Sequence, residues 1–421
     1  MPLSKTYRCI LPQPTINPRH AAEEMEVHGH PLAAEDCPLL PWYALPCKSH
    51  PYCPSPPQIS QANKITGQGV QRIGMADPWL AAFPNTCKPF LEETDSLLNL
   101  PLSSTIAHGP NSALTATGMA QPAIMATSLM ILRVLEREFD FRTADRITVT
   151  LGHSLGEFAA LVAGGYLHYA DALRMVSERA QVMVRCSREA QQQDPARLEY
   201  GMVALVCEPD RLQSLIAAIQ EFLHQGSRDD SHGQAPPIER VLIANANSKN
   251  QIVLSGSIER IQALLVQLRQ FGGHDPRAVR LATDSPFHSP IMVPARELMK
   301  RLLTETEVAW PGTFPCVSNV SARPFASPAD LRDLLARQAT ETVRWWDSIK
   351  WLDQEIGVRR WVGVGPGKVG RNLVGKEVGM RGRDKVRGGG VWGLSAPREV
   401  EEVLRGLEET EAWGGVEMRP D

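Results

Sequence analysis

The period of the hydrophobic positions changes along the chain and predicts its secondary structure. Residues 123–139 are almost continuously apolar, with charges only near the end, which predicts a buried helix beginning near Pro122. Residues 147–151 alternate apolar side chains with threonine, as a short strand does, and the apolar segment 158–162 predicts another helix. A strand, a tight turn and a helix are therefore expected in this order.

A block of short strands and helices follows a helix predicted over 171–185, which has Asp at its start and Arg in its last turn. The predicted elements of this block are strands at 202–206 and 252–254, helices at 212–222 and 261–268, and a polar loop at 226–237. We expect the block, residues 189–280, to be an insertion into a larger α/β domain. That domain is expected to comprise 61–188 and 281–400, with a strand at 361–364.

Both ends of the chain are expected to lie outside the α/β domain. The first sixty residues hold twelve prolines and no sustained hydrophobic period, which predicts a poorly ordered leader. Residues 401–421 are expected to form a C-terminal tail. The leader contains Glu23, Glu24 and Glu26, which do not fit the arginine-rich, acid-poor pattern of a transit peptide.

Composition limits the classes of partner. The chain has 421 residues, 43% of them hydrophobic and 22% charged, so a sizeable core is expected. The formal net charge of −3 provides no basic field for nucleic acid or an anionic membrane, and no run of about 20 consecutive apolar residues predicts a membrane span. We therefore expect a soluble, intracellular protein. The eight cysteines are scattered without C-x2-C spacing, so neither a metal site nor a cofactor is predicted.

The tight turn after the predicted strand carries a candidate nucleophile. Gly152-His153-Ser154-Leu155-Gly156 fits G-x-S-x-G, in which a sharp turn lifts a serine hydroxyl clear of the sheet and presents N–H groups at a helix start. A glycine-rich turn with a capping serine is the structural alternative. A serine also needs a base, and His288 lies on a loop between two prolines that can hold its side chain in place. A purely structural histidine is the alternative there.

Blocks of sequence on both sides of this serine occur in the order and at about the spacing of one family. They are Gly67-Gln68-Gly69 with Gln71 and Gly74-Met75, Gln121-Pro122-Ala123, Gly152 to Phe158, Arg179, Gln251 with Ser255-Gly256, His288, Ser318-Asn319-Val320, Gln338 with Val343-Arg344-Trp345, and Gly365-Pro366-Gly367-Lys368-Val369. On these blocks, which span 67 to about 373, the chain resembles the malonyl-CoA:acyl carrier protein transacylase family.

The resemblance implies catalysis through a serine ester. Ser154 would attack the thioester of malonyl-CoA, and His288 would serve as base and then as acid toward the leaving thiol. Gln338 matches the glutamine whose backbone carbonyl orients the histidine, so no carboxylate is expected as a third member. The N–H of Gln68, in the family's first glycine turn, would join that of Leu155 as the oxyanion hole.

The resemblance also implies the substrate pocket. Arg179 matches the arginine that grips the free malonyl carboxylate, a task suited to a planar, permanently charged fork. Phe287, next to the histidine, leaves little room for a branch at the α-carbon and favours malonyl over methylmalonyl. The remaining residues predicted to line the pocket or orient its groups are Gln121, Asn247 and His153, although the His153 side chain is expected to point away from the serine.

One segment departs from the family pattern. Members carry an apolar strand ending in Phe-Pro before the first glycine turn, whereas residues 61–66 are Gln-Ala-Asn-Lys-Ile-Thr. This strand would be central in a parallel sheet and should be apolar throughout. Two explanations stay open: the leader is foreign to the fold, for instance through an incorrectly predicted exon, or these residues form the strand poorly.

The resemblance implies an α/β fold: an α/β-hydrolase-like large domain with a parallel sheet, and an inserted ferredoxin-like small domain. It implies ping-pong transfer of malonyl from malonyl-CoA to the phosphopantetheine thiol of an acyl carrier protein, for fatty-acid synthesis, by a monomer. The likeness to stand-alone fungal enzymes suggests the mitochondrial matrix, with the cytoplasm as the alternative. A serine hydrolase or thioesterase with the same elbow, and an inactive carrier-protein-binding homologue, stay open as alternatives.

Overall fold

Two β-sheets organise the fold in this computed structural model, which describes residues 61–65, 69–193, 198–225, 241–283, 285–379 and 389–413. The strands are β1 (Gln61–Ile65), β2 (Val149–Gly152), β3 (Tyr200–Val206), β4 (Leu242–Ser248), β5 (Gln251–Ser257), β6 (Arg277–Arg280), β7 (Cys316–Val317), β8 (Arg360–Val364) and β9 (Gly390–Leu394). The larger sheet has the order β7-β2-β1-β8-β9 and is parallel throughout. The smaller sheet has the order β4-β5-β3-β6 and is antiparallel throughout.

Helices cover both faces of the parallel sheet. They are α1 (Asp77–Ala82), α2 (Pro84–Leu98), α3 (Leu102–His108), α4 (Asn111–Thr115), α5 (Thr117–Glu138), α6 (Thr143–Arg146), α7 (Gly156–Ala163), α8 (Tyr169–Gln193), α9 (Leu212–Gln225), α10 (Ile258–Gln270), α11 (Val293–Glu305), α12 (Pro328–Arg337), α13 (Trp345–Lys350), α14 (Val369–Val378) and α15 (Val400–Trp413). Successive residues of β8 point to opposite faces: Val362 and Val364 enter the main hydrophobic cluster, and Trp361 enters a second one. The sheet therefore lies between two apolar layers, as parallel sheets do.

The central position of the large sheet is occupied by β1, the segment that departs from the family pattern. Residues 62–65 pair with β2, and residues 61–65 pair with β8. The backbone of this segment therefore occupies the place of the family's first strand. The reason is that ladder hydrogen bonds join backbone N–H and C=O groups, which polar residues carry as well as apolar ones. The leader, residues 1–60, lies outside the described residues.

The helix predicted to begin near Pro122 begins earlier in the structure. α5 starts at Thr117, so Pro122 lies inside it, in the second turn. Its apolar side chains fill the main cluster, and packing of this kind outweighs the one backbone hydrogen bond that a proline removes. α5 is long and apolar enough to cross a membrane by length and composition, but 83% of its most apolar window is buried inside the fold, as in a core helix.

The smaller sheet is a ferredoxin-like unit. Its elements follow the chain order β3-α9-β4-β5-α10-β6, a βαββαβ connection. Val203 and Leu205 of β3 pack under the two helices, whereas Met202 and Ala204 on the opposite face enter the main cluster. The predicted fold class is confirmed. The bounds 189–280 for the insertion remain a prediction, and the predicted loop 226–237 lies outside the described residues.

The C-terminal segment differs from the predicted tail. Residues 400–413 form α15, and its Val403 and Leu407 are buried in the main cluster. The sequence 400–407 places Val400, Val403 and Leu407 on one face of a helix, at spacings of three and four residues. That apolar face has β9 to pack against, so the helix is part of the core rather than a tail.

Candidate active site

The turn between β2 and α7 holds Ser154 in a strained conformation. Its φ of 52° lies in the left-handed region, which side chains other than glycine rarely adopt and which often marks functional sites. A Cβ added at Gly152 would lie 1.9 Å from the Gly156 carbonyl oxygen, so only glycine fits there. The Ser154 N–H donates to Asn319 Oδ1 at 2.7 Å, which anchors the turn.

Ser154 and His288 form a hydrogen-bonded pair across 134 residues of sequence. Ser154 Oγ lies 2.8 Å from His288 Nε2, and His288 Nδ1 lies 2.7 Å from the Gln338 backbone oxygen. A carbonyl oxygen only accepts, so Nδ1 carries the proton and Nε2 accepts from the serine hydroxyl. Burial, followed by the charge of Arg179, lowers the pKa of His288 to about 3. The imidazole is therefore neutral at neutral pH, as a general base must be.

Arg179 is buried beside this pair. The side chain projects from α8 and is 1% exposed. Its Nη1 donates to Gln121 Oε1 and its Nη2 donates to Gln338 Oε1, both at 2.8 Å. Burial lowers the pKa of Arg179 to about 10, against the opposing charge of Glu157, so the guanidinium stays charged at neutral pH. Within the described part of the chain, no carboxylate oxygen lies within 4.0 Å of the guanidinium. Its partners are neutral amides, so the positive charge can bind an anion.

The Gln338 side chain links Arg179 to the serine turn. Its Oε1 accepts from Arg179, and its Nε2 donates to the Ser154 backbone oxygen at 2.7 Å and to Glu157 Oε2 at 2.7 Å. Gln338 thus acts twice, since its backbone oxygen also contacts His288. The resemblance predicted only the backbone contact.

Glu157 and Asn319 are two further residues of the site that sequence reasoning did not assign a role. Glu157 Oε1 accepts from the Asn319 N–H at 3.0 Å, and Asn319 Nδ2 donates to the Gly152 oxygen at 2.7 Å. Burial raises the pKa of Glu157 to about 8, although Asn319, Gln338 and Arg179 act in the opposite direction. Both residues occur within the sequence blocks that carried the resemblance. That was the available signal.

The other residues that the sequence predicted for the site make separate contacts. His153 Nε2 lies 3.0 Å from Asn247 Oδ1 of β4, which joins this side chain to the smaller sheet. Its ring centroid lies 5.3 Å from that of Trp345 in α13. Phe287 is buried in the main cluster. Leu155, the residue immediately before α7, has no acceptor for its N–H among the residues that the structure describes. Gln68 lies outside them.

The smaller sheet is joined to the loop that follows Gln338. The Val343 N–H donates to the Ala244 oxygen at 2.8 Å, and the Ala246 N–H donates to the Val343 oxygen at 3.0 Å. Arg344 N–H then donates to the Asn319 oxygen at 2.8 Å. The site therefore lies where the two sheets meet, with the serine and its partners on the larger sheet and Asn247 on the smaller.

Comparison with known proteins identifies the class and then the family. A sequence model described as Acyl transferase domain matches residues 65–230, so the chain is an acyltransferase. It is 32% identical over 346 residues to the Malonyl CoA-acyl carrier protein transacylase of Bacillus subtilis (strain 168), which covers 82% of this chain and 96% of that protein. The chain belongs to the malonyl CoA-acyl carrier protein transacylase family. The predicted family is thereby confirmed.

Solved structures agree with this assignment. The acyl-carrier-protein-S-malonyltransferase of Bartonella henselae matches with a TM-score of 0.66 and 30% identity, covering 83% of this chain and 99% of that one. A malonyl-transacylase in complex with the acyl-carrier protein of a type II PKS matches with a TM-score of 0.68 and 26% identity, covering 82% and 99%. Both include nearly the whole of the solved chain, so the similarity extends over both sheets.

Proposed function

We propose that this chain transfers the malonyl group of malonyl-CoA to the phosphopantetheine thiol of an acyl carrier protein, through an ester on Ser154, and so supplies fatty-acid synthesis. The observation that carries the proposal is the 2.8 Å contact between Ser154 Oγ and His288 Nε2, with the buried cation of Arg179 joined to the same turn through Gln338. Membership of the family, and the solved complex of a similar malonyl-transacylase with an acyl-carrier protein, support both substrates.

In the first half-reaction Ser154 Oγ attacks the thioester carbonyl carbon while its proton passes to His288 Nε2. The tetrahedral intermediate collapses, the C–S bond breaks, and His288 returns the proton to the thiolate of coenzyme A. In the second half-reaction the carrier thiol gives its proton to His288 and attacks the ester carbonyl. The C–Oγ bond then breaks, and His288 returns the proton to Oγ, which restores the serine hydroxyl.

The Gln338 carbonyl does the work that an aspartate does in other serine enzymes. It fixes the tautomer of His288 and the direction of Nε2 without adding a negative charge. The neighbouring charge of Arg179 lowers the pKa of the imidazole further. A base with a depressed pKa returns its proton readily, which suits a reaction in which the leaving group and the incoming nucleophile are both thiols.

Arg179 is suited to hold the free carboxylate of the malonyl group. A guanidinium presents a rigid planar fork, and anchoring the far end of the acyl group aligns the thioester carbonyl at Ser154. Its present partners are amide oxygens, which an incoming carboxylate can supplement or displace. Phe287 and Gln121 complete the proposed acyl pocket, and Asn247 with His153 forms its wall at the smaller sheet.

The oxyanion of the tetrahedral intermediate would be held by the Leu155 N–H at the start of α7. Its position at a helix amino terminus favours a developing negative charge. The Ser154 N–H is unsuited to this task, because it already donates to Asn319. Gln68 is proposed as the second donor on the resemblance alone.

The proposal is tested by the intact mass of the purified protein after incubation with malonyl-CoA, with Ser154→Ala as the matched control. A malonyl adduct on the parent chain and none on the variant is the expected result. An adduct that forms and disappears under rapid quench without any acceptor thiol would indicate a hydrolase instead. No adduct at any time on a cooperatively folded sample would refute the enzyme and favour a carrier-binding homologue.

We also propose that the protein acts as a monomer in the mitochondrial matrix. The support is the likeness to stand-alone fungal enzymes of mitochondrial fatty-acid synthesis. Light scattering on the purified chain measures the oligomeric state, and a C-terminal fluorescent fusion reports the compartment. A dimer, or fluorescence spread through the cytoplasm, would contradict the respective half of this proposal.

A further inference from the structure

Glu157 is a fully buried carboxyl group on the first turn of α7, three residues after Ser154, at 0% exposure. Both of its oxygens are used: Oε1 accepts from the Asn319 N–H at 3.0 Å and Oε2 accepts from Gln338 Nε2 at 2.7 Å. These two partners are the residues that hold the catalytic pair, since Asn319 anchors the Ser154 N–H and Gln338 orients His288. The Glu157 carboxyl group therefore contacts the residues that hold Ser154 and His288, and it makes no hydrogen bond to the serine hydroxyl or to the imidazole.

The same carboxyl group is coupled to Arg179 through one amide. The guanidinium has donors only, so the Gln338 Oε1 must face it. The Gln338 Nε2 then faces Glu157 and the Ser154 backbone oxygen, which both accept. The orientation of this amide is therefore fixed by its neighbours, and its dipole lies between a buried cation and a buried carboxyl group.

We propose that Glu157 is a positioning residue that joins the Ser154–His288 pair to Arg179, and that its protonation state sets the affinity of Arg179 for the substrate carboxylate. This inference rests on the proposed function. Ionised Glu157 partly balances the charge of Arg179, and a malonyl carboxylate brings a second negative charge to the same guanidinium. Two carboxylates near one cation disfavour each other's ionised form. Malonyl binding should therefore be accompanied by uptake of a fraction of a proton from solvent onto Glu157, at a pH near the pKa of this group.

Arg179 and the Cys316 thiol interact electrostatically with Glu157, and His288 is held by the same glutamine, Gln338. The pKa of His288 is lowered to about 3, that of Arg179 is about 10, and burial raises that of the Cys316 thiol well above its usual value. Burial raises the pKa of Glu157 to about 8. Between about pH 6 and about pH 9, Glu157 is therefore the member of this group whose charge changes.

The sign of the effect follows from this charge. As the pH rises through the pKa of Glu157, the ionised form becomes dominant and repels the malonyl carboxylate, so affinity for malonyl-CoA should fall. Acetyl-CoA lacks the carboxylate, so the ratio of the two dissociation constants reports the titrating groups that act on that carboxylate. Comparison with Glu157→Gln then separates Glu157 from His153 in the pocket wall. A mutual shift of one pKa unit corresponds to a tenfold change, so the ratio should change about tenfold over this range.

The experiment is calorimetric titration of Ser154→Ala, which cannot be acylated, with malonyl-CoA and with acetyl-CoA from about pH 6 to about pH 9. Buffers of different ionisation enthalpy give the number of protons taken up. We expect malonyl-specific uptake of a fraction of a proton near pH 8, and none once the same chain also carries Glu157→Gln, which has no ionisable group. Glu178→Gln, an exposed carboxyl group that pairs with Arg174, is the matched control and should behave as the parent.

Two results would overturn the inference: a ratio that is flat with pH in Ser154→Ala, which is the parent for these titrations, or a pH dependence that persists once Glu157→Gln is added. If the glutamine variant does not fold, the parent still decides, because absence of malonyl-specific proton uptake contradicts the coupling. Failure of the proposed function appears differently, as a lack of preference for malonyl-CoA at every pH. Preference without pH dependence would reject the role of Glu157 alone.

Discussion

The role of Arg179 can be tested by its replacement with alanine. Arg179→Ala removes a buried cation whose two terminal nitrogens donate to Gln121 and Gln338. It leaves a malonyl carboxylate in the pocket without its partner, whereas an acetyl group loses nothing that it contacts directly. The two substrates should therefore respond differently to one substitution.

The magnitude follows from the burial of this site. Leaving one member of a buried, hydrogen-bonded charge pair without its partner costs about 3–5 kcal/mol. At about 1.4 kcal/mol per factor of ten, kcat/KM for malonyl-CoA should fall by roughly 10²- to 4 × 10³-fold. For acetyl-CoA we expect a fall within about tenfold, arising only from a looser Gln338. Arg179→Lys, which keeps the charge but loses the planar fork, should lie between the parent and the alanine variant.

The assay is quenched transfer of radiolabelled malonyl and acetyl groups to a holo carrier protein, at a temperature far below the unfolding midpoint of each variant. This precaution is needed because the substitution leaves buried amide oxygens unpaired and should lower the unfolding free energy by about 2–4 kcal/mol. Arg174→Ala, on the exposed face of α8, is the matched control. Equal losses for both substrates would refute a carboxylate clamp at Arg179.

Three further predictions follow from single positions. Gly152→Ala places a Cβ 1.9 Å from a backbone oxygen, so urea denaturation should show a loss of more than about 2 kcal/mol; an unchanged midpoint would contradict this. Phe287→Ala should raise the share of methylmalonyl in a competition assay, and an unchanged product ratio would exclude steric selection. His288 has its pKa lowered to about 3, so the unfolded chain binds a proton below about pH 6.5 that the folded chain does not. Stability should therefore decrease from about pH 6.5 toward pH 3, less steeply in His288→Gln.

Local sequence determined the elements whose pattern is complete within a short window. The strand predicted at 147–151 and the helix predicted at 158–162 correspond to β2 and α7, because alternation and apolar runs are local properties. The elbow between them was predictable for the same reason, since glycine at 152 is required by a backbone contact with Gly156, four residues away. The sequence blocks that carry the resemblance likewise sufficed for the family.

Several elements depended on partners distant in sequence. β1 has no apolar pattern, and it becomes a strand because β2 and β8 offer paired backbone groups on either side. β7, two residues long, is too short to produce a periodic signal, and it pairs with β2. The helix α15 replaced a predicted tail because the fold provides an apolar surface for it. These elements are stabilised by burial against residues that are distant in sequence, and a short window of sequence does not show such contacts.

The properties of the active site also divide into those set by the sequence alone and those set by the tertiary structure. The sequence by itself determined which serine is raised on an elbow and, through the resemblance, which histidine and arginine accompany it. Only the tertiary structure decided that one glutamine, Gln338, contacts Ser154, His288, Arg179 and Glu157 at once, across separations of up to 184 residues. The pKa values of Glu157 and His288 were decided there too, because desolvation depends on what the folded chain places around a group.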